Sequence, residues 1–391
     1  MMKPLEGVTV VELSSYFAVP GCGRVLATQG ARVIKIEPPR GDIQRYFGMA
    51  FNVPCKPDEN PLFDTINGGK EMVMLDLKQP EDMEKLHKLL AQADVFLTNN
   101  RNKALQKMGL DYDSLKDKYP ELIVATLSGY GEKGDLKDAP GFDLVAMFQE
   151  TGFARDLMVT TDHTTYPANS AYGFGDIAAG SILAEGIAAS LYRRTKTGKG
   201  DHVTSSLYGT GVWLTSVLTQ LGHFDYPYPL DRGFSAPTGV AYETRDGEWI
   251  GITINEPERY WKPLCEALGS EKLLSNPDYG DRNKWVTSYE LCSETIHLLE
   301  EAFAQHDADE ILAKLRAADI VATKLAHFKD NVTNPQGLAN NFVAPITYAS
   351  GDSTALGQPP VRFEGVEPPV AEQGKTIGAD NAKVFADFGI A

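Results

Sequence analysis

Cysteine is scarce in this chain. Its 391 residues include four, Cys22, Cys55, Cys265 and Cys292. None has CxxC spacing or a histidine at ligand distance, so neither a zinc site nor a disulfide framework is expected, and no metal. Positive charge is also short: 37 Lys and Arg against 53 Asp and Glu give a formal net charge of −16. That excludes the broad basic face a nucleic-acid partner needs. The opening Met-Met-Lys-Pro-Leu-Glu-Gly has no apolar stretch or small-residue cleavage site, so a cytoplasmic location is expected. The longest small-apolar run, Ile177–Tyr192, is short for a membrane span, carries Glu185 and alternates Ala with Gly. It reads as a buried helix, and no membrane contact is expected. A complete dinucleotide fingerprint is missing too. Gly21-Cys22-Gly23 follow the first strand only after Ser14–Pro20, and Leu26 holds the third glycine position. Glu37 is placed to bind a ribose, but the NAD-dependent reading lacks its phosphate loop.

What is present is a βαβ rhythm. Val8–Leu13, Arg32–Glu37, Met72–Leu77, Val95–Thr98, Leu122–Leu127 and Val203–Leu207 read as strands. Gly21–Thr28, Lys85–Gln92 and Gly211–Leu221 read as helices. Alternation of this kind predicts an α/β fold, a doubly wound, Rossmann-like parallel sheet. Further on, Ala241–Thr244 and Trp249–Ile254 around Asp246-Gly247 form a hairpin signal. With helices over Tyr260–Leu268 and Tyr289–Ala304, they predict a smaller α+β domain. The expected division is 1–222 plus 326–391 for the large domain and 223–325 for the small one. A hydrophobic fraction of 42% supports cores of this size.

The most informative segment is Gly173–Gly200. A helical stretch to about Arg194 closes on basic residues and Gly198, with Asp176 at or near its N-cap. Unpaired amides and the positive helix end favour an ionised carboxylate there, as a nucleophile requires. Asp is also an ordinary N-cap, so position alone leaves a purely structural role open. Basic residues group at Arg101, Lys103 and Lys107, and again at Arg40 and Arg45, either anion sites or solvated faces.

Several segments in order resemble one family, the class III CoA-transferases. They are Pro4–Leu13, Ala31–Arg45, Asn67–Leu77, Ala93–Arg101, Leu127–Gly134, Pro140–Asp143 and the Asp176 segment. The resemblance implies that family's fold, with an interlocked homodimer. It implies transfer of CoA from an acyl-CoA or enoyl-CoA to a carboxylic acid, through an aspartyl mixed anhydride and an aspartyl-CoA thioester. Asp176 would be the nucleophile and Asp143 a supporting catalytic acid. The resemblance places CoA contacts at Phe17, Ala18, Arg40, Asn99, Asn100, Arg101, Lys107 and Phe142, with no cofactor beyond coenzyme A and acyl-CoA as substrate. Gly175 and the following helix turn are candidate oxyanion donors.

Within that resemblance Arg101–Tyr112, Gly129–Gly134 and Lys137–Asp143 look most like the enzymes that activate (R)-2-hydroxy acids in amino-acid fermentation, which feed a 2-hydroxyacyl-CoA dehydratase, here a further expected partner. Tyr16, Phe17, Phe47 and Tyr172 are candidate pocket walls, with plain core packing as the alternative. Two other readings stay open, a 2-methylacyl-CoA racemase and a non-catalytic CoA-binding module. The racemases of this fold carry a histidine where this chain has Phe142, and two-sided proton exchange needs that second base.

Overall fold

The computed structural model describes residues 2–160, 165–166, 171–226, 228 and 232–390. The chain divides into two compact units, 1–155 with 168–225 and 331–391, and 156–167 with 226–330. The cuts thus fall at 225/226 and 330/331, a few residues beyond those read from sequence, and 156–167 joins the smaller unit.

The larger unit is an α/β fold on a six-stranded parallel sheet. Its strands are β1 (Thr9–Leu13), β2 (Arg32–Glu37), β3 (Glu71–Met74), β4 (Val95–Thr98), β5 (Ile123–Ser128) and β6 (His202–Ser206), in the order β3-β2-β1-β4-β5-β6. Because strand side chains alternate, neighbouring residues enter different cores. Val10, Val33, Val95 and Ile123 pack with α1 (Ala18–Thr28) and α5 (Phe174–Thr197). Val11, Ile34, Phe96 and Val124 pack on the other face with α3 (Pro80–Leu90) and α4 (Asn102–Met108). The late segment returns to the sheet edge beyond α2 (Pro61–Asn67). There Asp380 accepts the Met72 amide at 2.8 Å, and Asp64 of α2 accepts the Gly374 amide at 2.7 Å and the Tyr348 hydroxyl at 2.9 Å.

Some boundaries depart from the sequence reading for local reasons. α1 begins at Ala18 rather than Gly21, since Pro20 falls in the first turn, where no intrahelical N–H is needed. The expected helix Gly211–Leu221 is two helices, Leu207–Leu214 and Ser216–His223. Ser206 caps the first through the Gly209 amide at 3.0 Å, and Thr215 breaks the pair, its hydroxyl turned back to the Gly211 carbonyl at 2.9 Å.

α5 is long and apolar enough to cross a membrane by length and composition, but it packs as a partly buried core helix against α1. Glycine makes that approach possible. A Cβ placed on Gly180 would lie 2.2 Å from the Ala18 carbonyl oxygen and 3.0 Å from the Cys22 nitrogen, both backbone atoms.

The smaller unit has a three-stranded antiparallel sheet of Ala241–Glu243, Trp249–Ile252 and Ala322–Lys324. Helices Pro257–Leu268, Tyr289–Phe303 and Ala308–Ala317 close its core, where Tyr242 stacks on Phe303 at 4.8 Å. The third strand is three residues long, too short for alternation to reveal.

Gly180→Ala tests the α1–α5 contact: overpacking against backbone should lower the thermal midpoint by roughly 5 °C. An unchanged midpoint in a differential scan would contradict the packing described.

Candidate active site

β1 is followed by α1 on one face of the sheet and β4 by α4 on the other, which makes the gap between their C-terminal ends a topological switch point, where such sheets bind ligands. A cleft of about 430 Å³ opens there. Its walls are Ser15, Tyr16 and Ala18 after β1, Asn99 to Lys103 and Gln106 after β4, Ser128, Gly129 and Gly131 at the end of β5 and just beyond it, Lys137 to Phe142, and Asp176.

Asp176 lies in the first turn of α5, three residues past the cap; the N-cap itself is Gly173, in the left-handed region at φ 74°. Asp143 begins a π-helix, Asp143–Gln149, and is buried behind the head of α5. A Cβ on Gly175 would meet the Asp143 Cβ at 2.8 Å and Met147 Sδ at 2.6 Å, so only glycine lets α5 start this close. Burial, and then the neighbouring Asp143 carboxylate, push the Asp176 pKa up from 3.8 to about 7. The expectation that the helix end keeps this group readily ionised is therefore corrected. A helix end contributes about 1 kcal/mol or less, under one pKa unit, and burial next to a like charge outweighs it.

Burial also raises Asp143. The amides of Leu144, Asp176, Gly173 and Gly175 pull it back. Leu144 N–H donates to Oδ1 at 2.9 Å, while Oδ2 is buried without a hydrogen-bond partner among the described residues. The candidate oxyanion donor Gly175 thus faces Asp143.

Of the residues read from sequence as CoA contacts, Ala18, Asn99, Asn100, Arg101 and Phe142 line the cleft with Asp176. Phe17, Arg40 and Lys107 do not. Asn99 uses its side chain on the loop after β1, accepting the Ser15 amide at 3.1 Å and donating to the Ser15 carbonyl at 2.7 Å. Asn100 donates to the Leu13 carbonyl at 3.2 Å. Both therefore shape the loop. Phe17 caps α1, its ring edge-on to Phe47 at 5.1 Å, and contacts continue from Phe47 to Phe51 and from Phe51 to Tyr172, each at 5.3 Å. This row of rings runs up to Gly173, since a Cβ there would lie 3.8 Å from Phe17. Arg40 is exposed on the turn after β2, and Lys107 is exposed in the last turn of α4.

Two residues that looked available for anions are taken. Arg45 is buried and pairs with both oxygens of Glu37, at 2.8 and 2.7 Å. That bidentate bond also removes Glu37 as a ribose ligand. Lys103 lies 2.9 Å from Asp138. Arg101 and Lys137 are exposed cations of the cleft without an ion-pair partner among the described residues. Lys137 was not among the sequence candidates. Its signal was a lone cation before the Pro140-Gly141 turn, indistinguishable in sequence from any surface lysine. No group of three or more His, Cys, Asp or Glu among the described residues is arranged to hold a metal.

The model of CoA-transferase family III matches residues 5–381. The chain belongs to CoA-transferase family III. It is 39% identical over 392 residues to the (R)-2-hydroxy-4-methylpentanoate CoA-transferase of Clostridioides difficile, covering 97% of each chain. To the cinnamoyl-CoA:phenyllactate CoA-transferase of Clostridium sporogenes it is 34% identical, covering 98% of this chain and 93% of the other. Among solved structures it resembles a CaiB/BaiF family protein from Brucella suis, with TM-score 0.82, 26% identity, and 99% and 100% of the two chains covered. A structure of Rv3272 from Mycobacterium tuberculosis matches with TM-score 0.81, 27% identity, and 97% and 98% covered. The protein is accordingly a class III CoA-transferase, an enzyme whose family takes acyl-CoA as substrate.

The raised Asp176 pKa predicts a linkage. An acid with a folded pKa above its unfolded value costs stability as pH rises from about 4 to about 7. Asp176→Asn removes that loss, so thermal scans should place the variant a few degrees above wild type at pH 8 and level with it at pH 4. A gap that does not change with pH would refute the shift.

Proposed function

We propose that this transferase moves CoA from an acyl- or enoyl-CoA to an (R)-2-hydroxy acid, with Asp176 as covalent nucleophile. The observation that carries the reading is Asp176 in the wall of a cleft whose mouth bears Arg101 and Lys137. Those cations would hold the phosphates of CoA, Arg101 through its planar fork and Lys137 as a point charge. The Asp176 carboxylate attacks the donor thioester carbonyl, and the C–S bond breaks to release CoA thiolate. The thiolate attacks the aspartyl carbonyl of the anhydride, freeing the donor acid and leaving an aspartyl-CoA thioester. The acceptor carboxylate attacks that thioester, the thiolate departs again, and its attack on the acceptor carbonyl gives the new acyl-CoA and restores Asp176. No net proton is consumed. Water must be kept out, because it would hydrolyse the anhydride.

Asp143 supports this cycle by position: buried against Gly175 at the head of α5, it helps set Asp176 in the cleft wall and, after burial, raises its pKa to about 7, so that Asp176 ionises for attack as the pH rises through neutrality. The 2-hydroxy acid is suggested by what the two relatives named above act on. The aromatic row Phe17, Phe47, Phe51 and Tyr172 beside the head of α5 suits an apolar side chain on that acid. The product, a 2-hydroxyacyl-CoA, is what a dehydratase would take. A homodimer fits the apolar surface on helices Leu207–Leu214 and Ser216–His223, where Trp213 and Val217 are each 70% exposed and neighbouring Phe224 is 77%. Four free thiols fit a cytoplasmic setting.

Mass spectrometry after incubation with acyl-CoA and hydroxylamine or borohydride should find modification at Asp176. An unmodified protein that exchanges α-protons would favour the racemase instead. Asp176→Ala should lose transfer by a factor of about 10³ or more while still binding CoA. For the wild type, kcat/KM should rise with pH through about 7 as Asp176 ionises. A rate independent of pH from 5 to 8 would contradict this.

A further inference from the structure

The left-handed backbone at Tyr16 needs a cause. Tyr16 has φ 64°, a region costly for a residue with a large side chain, and it stands in the wall of the cleft, its ring edge-on to Phe142 at 5.3 Å. Its amide is held by a buried carboxylate outside the cleft lining. Asp42 Oδ1 accepts the Tyr16 N–H at 3.2 Å and the Gln44 N–H at 3.0 Å. Asp42 is buried, and its other oxygen lies 2.9 Å from Lys35 Nζ, an ion pair poorly directed for a hydrogen bond. Lys35 is fully buried in β2, and its ammonium also donates to Glu12 of β1 at 3.1 Å. Burial acts against that charge; Asp42, Glu12 and Glu37 outweigh it and hold the Lys35 pKa above its ordinary value.

We propose that Asp42 is a positioning residue for CoA transfer: anchored on the buried Lys35–Glu12 pair, it fixes the Tyr16 amide and so sets the loop after β1 against the nucleophile's cleft. On its other side the same loop is tied to Asn99. A loop held from both sides keeps the cleft wall at one distance from Asp176, and a displacement of about 1 Å in such a wall costs up to about a hundredfold in rate. The other oxygen of Glu12 accepts from Lys70, also fully buried, at 2.8 Å, and burying these four charges is consistent with a directional need, since a buried ion pair by itself adds little stability.

The inference rests on transfer at Asp176, and two substitutions separate it from a purely structural role. Asp42→Asn keeps an oxygen for the Tyr16 amide and loses the charge facing Lys35. Asp42→Glu keeps the charge and displaces the oxygen by one methylene. Both should lower the thermal midpoint. Positioning predicts that Asp42→Asn retains kcat/KM within about threefold, while Asp42→Glu loses tenfold or more, chiefly in kcat. The opposite order, equal losses, or no kinetic change in either variant would overturn the proposal. Should Asp42→Glu not fold, Asp42→Ala takes its place with the same expectation. Asp176→Ala serves as the control: residual transfer in that variant would sink the nucleophile reading, whereas the ranking of the Asp42 variants judges only the loop anchor.

Discussion

The close approach of two carboxylates at the head of one helix is the constraint on which this site depends. Asp176 reaches the cleft only because α5 begins against the π-helix that carries Asp143, and because α5 lies with its backbone on α1. Gly175 and Gly180 make both contacts possible. The same closeness sets the chemistry, since burial beside Asp143 holds the Asp176 proton up to about pH 7. The position that brings the carboxylate near a thioester thus also makes it reluctant to ionise. A carboxylate that gives up its proton near neutral pH is more basic than an ordinary one, and in an attack on an acyl carbon that basicity favours bond formation.

Around this pair the sheet supplies the frame. The order β3-β2-β1-β4-β5-β6 places a crevice between β1 and β4, and buried polar groups shape its rim. Asn99 and Asn100 hold the loop after β1 from one side and Asp42 from the other, while the Glu37–Arg45 pair fixes the turn after β2 through the Asp42 amide, which donates to Glu37 at 2.9 Å. Charge that composition presents as surface is here internal structure. The cations left for a polyanionic ligand are few and sit at the mouth, a pattern suited to an acidic protein that binds one nucleotide-like substrate.

The five strands from Thr9 to Ser128 were legible as mainly apolar runs between breaks, the polar edge strand His202–Ser206 only by its place after the long helix, and the order of family motifs carried the fold and the enzyme class. Asp176 was legible as a residue at the start of a small-residue helix. Its ionisation was not, because it depends on Asp143, 33 positions away in the chain, and on a glycine contact that no local pattern encodes. Arg45 and Glu37 each looked like ligand residues in sequence and proved to bind each other. Asn99 and Asn100 were rightly placed at the end of a strand, yet their side chains turn to the loop. Lys137 was read only as part of a family-like segment and not as a site residue, since a single surface cation carries no periodic signal. The pieces missed are those decided by tertiary pairing, and those found are decided by local pattern.

Covalent participation of Asp176 can be followed by isotope without any substitution. If the acceptor acid carries ¹⁸O in both carboxylate positions, attack on the aspartyl thioester followed by return of the thiolate must leave one labelled oxygen on Asp176. Mass analysis of the peptide holding Asp176, after turnover with acyl-CoA, should show that label. A chain that has turned over yet carries unlabelled Asp176 would contradict the covalent route.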